Sequence, residues 1–200
     1  MAGMTRMTNL PGRLAWQTAS AAGYSLIELM MTLGIFGVVS AIAVVQIGQS
    51  RPGAIGDGAM RVAMSQMTSA REQAITQRRS MRLIFDIPNN QVQIVREEVP
   101  GPALTVLSSV PFEGGMKFSN TGLSDTPDHF GIAGAVDFGA ATEIKFTPDG
   151  TMVNQVGAVT NGTVYLCLPS SKLSARAVTV LGSTGRVRGY KWDGRQWVLV

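Results

Sequence analysis

The sequence predicts an α+β protein: a long amino-terminal helix, transmembrane in its first part, packed on an antiparallel β-sheet domain. Three observations predict it. Residues 24–47 form an apolar run whose one charge is Glu28. From Met60 onward, apolar residues recur at helical spacing. Beyond Ser80 the pattern changes to short apolar runs separated by turn residues. A helix followed by such runs is the α+β arrangement.

The apolar run is 24 residues long, roughly 36 Å as a helix, against about 30 Å of bilayer hydrocarbon. Arg6 and Arg13 precede it with no acidic residue, so the chain reads as exported and held by its amino-terminal end. A cleaved signal peptide fits poorly. The run is too long, and the small-residue junction Ala21-Ala22-Gly23 precedes it instead of following it. A buried core helix also fits poorly, because residues 38–45 show no polar face. A plain anchor fits the length but gives no reason for Glu28. A carboxylate in a membrane-length helix is costly and marks function by default. The helix dipole favours it near the amino end, yet in lipid it still needs a partner, unless it is protonated or snorkels to the interface. Gly34, Gly37, Ser40, Ala41 and Ala43 would let other helices approach closely.

Arg51-Pro52-Gly53, with Gly56 and Gly58, predicts a kink, an unwound link or a break, and Asp57 is placed to cap a resumed helix. Met60, Ala63, Met64, Met67, Ala70 and Ala74 form the core face of that helix. Arg61, Gln66, Arg71, Gln73, Gln77 and Arg78 populate the rest. Strands are expected at 81–86 and 91–97 around a Pro88-Asn89-Asn90 turn, and at 105–110. Residues 111–141 read as a long loop with short strands. Further strands are expected at 143–147, before the turn Pro148-Asp149-Gly150, and at 163–168, 175–181, 185–192 and 196–200. Asp193-Gly194 is read as a two-residue hairpin turn.

The chain has 200 residues, 17 basic and 13 acidic, for a net charge of +4. The part outside the apolar run suits one domain with a real core. The basic excess gathers at the end: Lys172, Arg176, Arg186, Arg188, Lys191 and Arg195 against Asp193. Such an end serves solubility or attracts a polyanion. Cys167 is the sole cysteine and is expected in a buried strand. His129 is the sole histidine, and neither has a spaced partner for zinc or for a nucleophile–base pair. Gly56-Asp57-Gly58 lacks the strand and spacing of a phosphate loop. Asp125 and Asp128 are too few to argue for calcium. No catalytic residue, metal or cofactor is therefore expected.

The junction Gly23-Tyr24-Ser25-Leu26-Ile27-Glu28-Leu29-Met30 resembles the processing site of type IV prepilins and type II secretion pseudopilins. The resemblance implies cleavage between Gly23 and Tyr24 by prepilin peptidase and methylation of Tyr24. Glu28 becomes the fifth mature residue, paired with the α-amino group of a neighbouring subunit. Tyr24 stands where the family usually has Phe, and the leader is long, though a start at Met4 or Met7 would shorten it. Ala70-Arg71-Glu72-Gln73-Ala74-Ile75, Arg78-Arg79-Ser80, Lys145-Phe146-Thr147-Pro148-Asp149-Gly150 and Gly185-Arg186-Val187-Arg188 resemble the GspH/FimT branch. This implies a pilin-like fold and a division into a leader (1–23), a transmembrane assembly helix (24–50), its periplasmic continuation (51–80) and a sheet domain (81–200). It further implies a structural minor subunit of a type II secretion or type IV pilus filament, not an enzyme. Such a subunit is anchored by a single pass in the inner membrane with its domain in the periplasm, and its partners are the peptidase and other pilins.

The carboxy-terminal hairpin carries an alternative of another class. Alternation along a strand puts Arg186, Arg188, Tyr190 and Trp192 on one face. A two-residue turn would set Trp192 opposite Arg195 and Tyr190 opposite Trp197. Arginines neutralise phosphates and aromatic rings stack on bases, so Arg186, Arg188, Lys191 and Arg195 are candidate DNA contacts. In FimT-like minor pilins a Gly-Arg-x-Arg motif is associated with DNA capture, and Gly185, Arg186 and Arg188 match it. The ordinary readings are a Tyr190–Trp197 packing pair, arginines paired with a neighbouring subunit's carboxylate, and a bulge at Gly189. A plain anchored periplasmic protein is the third class.

Overall fold

The computed structural model describes residues 23–200 except 102, 121, 124, 125, 132, 133, 140 and 141, and except the side chains of residues 45 and 49. The leader arginines and Asp125 lie outside the described residues. The chain divides into two compact units, Met1–Val44 and Val45–Val200. One helix, α1 (Leu26–Gln77), contributes to both.

In the first unit every described residue is exposed. The helix is long and apolar enough to cross a membrane, with a mean hydropathy of 2.1. Leu29 N donates to the Ser25 carbonyl (3.1 Å), and Thr32 Oγ1 to the Leu29 carbonyl (2.9 Å). Such internal closure is what a segment without water requires.

In the second unit the strands form the expected antiparallel sheet domain, built as two sheets. The strands are β1 (Met81–Asp86), β2 (Gln91–Glu97), β3 (Leu104–Pro111), β4 (Lys117–Phe118), β5 (Val136–Asp137), β6 (Glu143–Phe146), β7 (Met152–Val153), β8 (Gly162–Leu168), β9 (Ser171–Leu181), β10 (Arg186–Trp192) and β11 (Trp197–Leu199). The first sheet runs β3-β2-β1-β6-β7. The second runs β11-β10-β9-β8-β4, with β5 also on β8. Alternation sets the inward faces: Met81, Leu83 and Phe85 of β1 are buried while Arg82, Ile84 and Asp86 are half-buried.

The helical stripe expected from spacing is the core face. Met60, Ala63, Met67, Ala70 and Ala74 are buried against Leu83, Ile94 and Phe146 of the first sheet and Leu166, Val178 and Val180 of the second. Phe85 joins the two sheets, stacked on Phe138 (centroids 5.6 Å apart) and edge-on to Phe118 (6.0 Å). Cys167 is buried in β8, as expected.

Two expectations are corrected. The first is the break or unwound link at residues 51–58: α1 runs through Pro52. Proline removes one helical bond and crowds the carbonyl four residues back, here that of Gly48, yet the helix continues on both sides of it. Asp57 does not cap a new helix. It accepts from Nε of the buried Arg176 at 2.7 Å, and Nη2 of the same guanidinium donates to the Gly53 carbonyl at 3.0 Å. Gly56 is a contact glycine, since a Cβ there would lie 2.5 Å from the Ser174 carbonyl oxygen. Tertiary contacts with β9 thus outweigh the local weakness.

The second correction concerns the last hairpin. Its pairs are Trp192 with Trp197, Lys191 with Val198 and Tyr190 with Leu199. The turn therefore has four residues, 193–196, and Arg195 lies within it instead of opposite Trp192. Asp193 explains the length: its Oδ1 accepts from the backbone N of Arg195 and of Gln196, each at 2.7 Å. The shift brings the two indoles edge to face at 5.4 Å. Gly189 causes no bulge, and β10 pairs with β9 in unbroken register. A Cβ at Gly189 would meet Met64 Sδ at 2.7 Å and Met60 Sδ at 2.9 Å, so the glycine lets the helix close on the sheet.

Candidate functional site

Two regions hold the residues singled out by sequence. At the amino-terminal end, Gly23 and Tyr24 precede the helix, and Glu28 is the acidic residue of its first turn. Tyr24 and Glu28 are exposed, and among the described residues Glu28 makes no hydrogen bond or ion pair within the chain. Cβ atoms at Gly34 or Gly37 would meet nothing within 4 Å. The carboxylate thus stands where a helix amino end favours it, on an apolar surface that no other described residue covers.

The second region is the outer face of the second sheet, the face turned from the helix. Thr163 and Tyr165 of β8, Ala177 and Thr179 of β9, Arg188 and Tyr190 of β10 and Trp197 of β11 share it. Tyr165, Ala177, Tyr190 and Trp197 form a small apolar cluster there. A turn at Pro127–His129 crosses this face and delivers Asp128 into it. Asp128 Oδ1 accepts from Tyr190 Oη at 2.8 Å and from Arg188 Nη1 at 3.0 Å, and Oδ2 accepts from Thr179 Oγ1 at 2.8 Å. The turn is fastened again where Thr163 Oγ1 donates to the Phe130 carbonyl and Tyr165 Oη to the Gly131 carbonyl at 3.0 Å. Asp128 and His129 are both left-handed (φ 55° and 57°). Consecutive non-glycine residues hold that conformation only when their surroundings over-determine it.

The electrostatics follow from this geometry. Burial alone would raise the Asp128 carboxyl, but donation from Tyr190 and Thr179 and the charge of Arg188 reverse this and hold it below the usual carboxylate value. Burial, reinforced by donation to Asp128, pushes the Tyr190 phenol up. The hydrogen bond with Tyr190 is the main reason Arg188 is held more firmly charged than usual, with the Asp128 carboxylate adding to it. Both carboxylate oxygens of Asp128 are occupied by these donors, which leaves little for a cation.

The four candidate DNA contacts do not converge. Arg186 and Arg188 share the outer face, but Arg188 is bound to Asp128. Lys191 alternates to the other face, paired across the strands with Arg176. Arg195 sits in the turn. The carboxylate partner of Arg188 is in its own chain instead of a neighbouring subunit. The sequence reading missed Asp128 and Arg176 as fastening residues. Arg176 carried a signal, being a cation inside the apolar stretch Ala175 to Leu181. Asp128 carried none, since its partners lie 51 to 62 residues away.

Comparison with known proteins adds the following. Residues 59–185 match the family described as type II transport protein GspH, and residues 18–44 match the prokaryotic N-terminal methylation motif. No curated protein matches the sequence. Among solved structures, the chain is similar to two crystal forms of the type IV minor pilin FimU of Pseudomonas aeruginosa. The first has 14% identity and a TM-score of 0.47, covering 76% of this chain and 96% of that one. The second has 15% identity and a TM-score of 0.47, covering 71% and 96%. It is also similar to the minor pseudopilin EpsH from the type 2 secretion system of Vibrio cholerae, with 6% identity and a TM-score of 0.36 over 72% of this chain and 95% of that one.

Proposed function

From a chain that belongs to the GspH family of type II transport proteins and opens with an N-terminal methylation motif, we propose a structural minor subunit, pseudopilin or minor pilin, of a secretion or pilus filament. Prepilin peptidase cuts it after Gly23 and methylates Tyr24. Residues 24–47 then hold it in the inner membrane with residues 81–200 in the periplasm, until it is drawn into a growing filament. No step of this requires catalysis by the chain.

The observation that carries the reading is Glu28. It is the single charge of residues 24–47, it lies in the first turn of α1, and it has no partner among the described residues. Transfer into an apolar filament core requires a cation for it, and the freed α-amino group of a neighbouring subunit supplies one. Glu28→Leu tests this. The variant is expected to reach the membrane and lose its leader normally, yet fail to co-purify with the filament. Normal incorporation would remove the pairing.

DNA capture is a second reading that the geometry favours less, because Arg188 is already neutralised by Asp128 and the remaining cations lie on different faces. A gel shift with the full chain across a salt series decides it. Phosphate contacts require binding that weakens steeply with salt and is lost in Arg186→Gln/Arg188→Gln.

A further inference from the structure

Three cations that the outer-face network does not engage, Lys172, Lys191 and Arg195, lie toward one end of the second unit, while Arg186 stands at the other end of β10. Strand β10 runs back along the helix. A Cβ at Gly185 would lie 2.6 Å from Arg71 Nε, and one at Gly189 would lie 2.7 Å from Met64 Sδ. Lys191 pairs across the strands with Arg176, which is bonded to Asp57 and Gly53. The turn 193–196 therefore lies at the end of the domain where α1 enters it. A Cβ at Gly194 would be 3.9 Å from Leu173 Cδ2, which places the start of β9 at the same end. Gly53 is six residues past Ile47, about 9 Å along a helix, and Ile47 closes the apolar run.

We propose that this end of the domain, with Lys172, Leu173, Lys191, Trp192 and Arg195, is a docking surface for an anionic phospholipid bilayer. The proposal rests on the membrane-anchored reading above. Chain connectivity selects the occupant: any bilayer spanned by residues 24–47 begins within a few residues of Arg51 and Gly53, so headgroups are the surface this end meets. Composition agrees. Lys172, Lys191 and Arg195 are exposed, as is Arg51 where the helix enters. Leu173, an apolar side chain, is 59% exposed with no core to join. Trp192 is half-buried, its ring edge against Trp197. Cations flanking an indole and an aliphatic side chain are the composition of an interfacial contact. The acids nearby are Asp57, engaged by Arg176, Glu113, exposed beside Gly114 where the loop meets Ile55, and Asp193, whose carboxylate is engaged by its own turn. Charges at a membrane surface act within about a Debye length. Docking would thus fix the tilt of the domain over the bilayer before extraction into a filament, and neutral lipid would leave it loose.

The test uses the processed full chain, in which Trp192 and Trp197 are the only indoles left after the leader is removed. It is reconstituted into vesicles of phosphatidylcholine alone or with one-third phosphatidylglycerol, and indole fluorescence is quenched by headgroup-labelled lipid. Stronger quenching in the anionic vesicles, relieved by salt and by Lys172→Gln/Lys191→Gln/Arg195→Gln, is expected, with each lost cation weakening attachment about fivefold. Equal quenching in both vesicles, or in the triple variant, overturns the proposal. Chain that resists carbonate extraction yet shows no quenching overturns the docking surface alone, whereas chain released by carbonate overturns the anchored reading and this proposal with it. Retention of duplex DNA that the same triple variant abolishes, with quenching unchanged, assigns the cations to nucleic acid and overturns it as well.

Discussion

Arg71 Nε donates to the Gly150 carbonyl at 3.1 Å, and Gly185 lies directly against both. Three segments far apart in sequence, each singled out by its resemblance to the GspH/FimT branch, thus meet at one point. Gly150 and Gly185 have φ of +85° and +64°, and a Cβ at Gly185 would come within 2.4 Å of the Gly150 oxygen. The glycine of the Gly-Arg-x-Arg motif is explained by packing before any ligand is considered. Gly185→Ala should cost about 3 kcal/mol, from left-handed backbone plus overpacking, and lower Tm by roughly 10 °C. Gly189→Ala presses only on the flexible ends of Met60 and Met64 and should cost about 1 kcal/mol. Thermal denaturation of the two variants checks the order, and a reversal would refute this account of the motif.

Arg176 is a buried clamp. Its guanidinium reaches Asp57, the Gly53 carbonyl and the carbonyls of Leu173 and Ala175. Arg176→Met should destabilise the domain by about 3 kcal/mol, because several polar atoms lose their partner at once. Asp57→Asn keeps a hydrogen-bond acceptor at a half-exposed position and should cost about 1 kcal/mol. Hydrogen exchange should show amides of residues 51–58 opening in Arg176→Met. If those amides stay protected, the helix through Pro52 does not depend on the clamp.

The Asp128 network gives a pH dependence with a definite sign. Its carboxyl is held below the ordinary 3.8, so the folded state favours the ionised form. The stabilisation is present in full above that ordinary value and is lost as pH falls through the lower, folded value. Asp128→Asn should lower the urea midpoint at pH 7, by about 1 kcal/mol in stability, and the gap to the wild type should close as pH drops below 3.8. A gap that widens in acid would mean that Asp128 is not stabilised as the anion.

Asp149 should be the most acid-resistant carboxylate of the folded domain. The Thr147 hydroxyl, followed by the backbone N and hydroxyl of Thr151, holds its value to about 2. NMR titration of the carboxyl carbons should find Asp149 still ionised at pH 3. A midpoint near 3.8 would show that the turn does not hold these contacts in solution.

Much of this was readable from the chain. The apolar run, the Met60 to Ala74 stripe and the strand pair 81–86 with 91–97 follow from local periodicity, and the structure places them as spacing indicates. What failed had non-local causes. Pro52 and three glycines look like a break until Arg176, 119 residues from Asp57, is seen to clamp the helix. Asp193-Gly194 looks like a two-residue turn until the preference of two indoles for each other and the Asp193 side chain lengthen it. Arg188 looks free until a loop with no periodic pattern brings Asp128 across 60 residues. Charges in the candidate site were therefore legible as residues but not as partners.

The most direct measurement of the central claim is the intact mass of the protein recovered from the inner membrane of cells that express prepilin peptidase. The account predicts a chain that begins at Tyr24, lacks residues 1–23 and carries one added methyl group on its amino terminus. A chain that keeps Gly23 and the leader, or begins at Tyr24 without the methyl group, would contradict it.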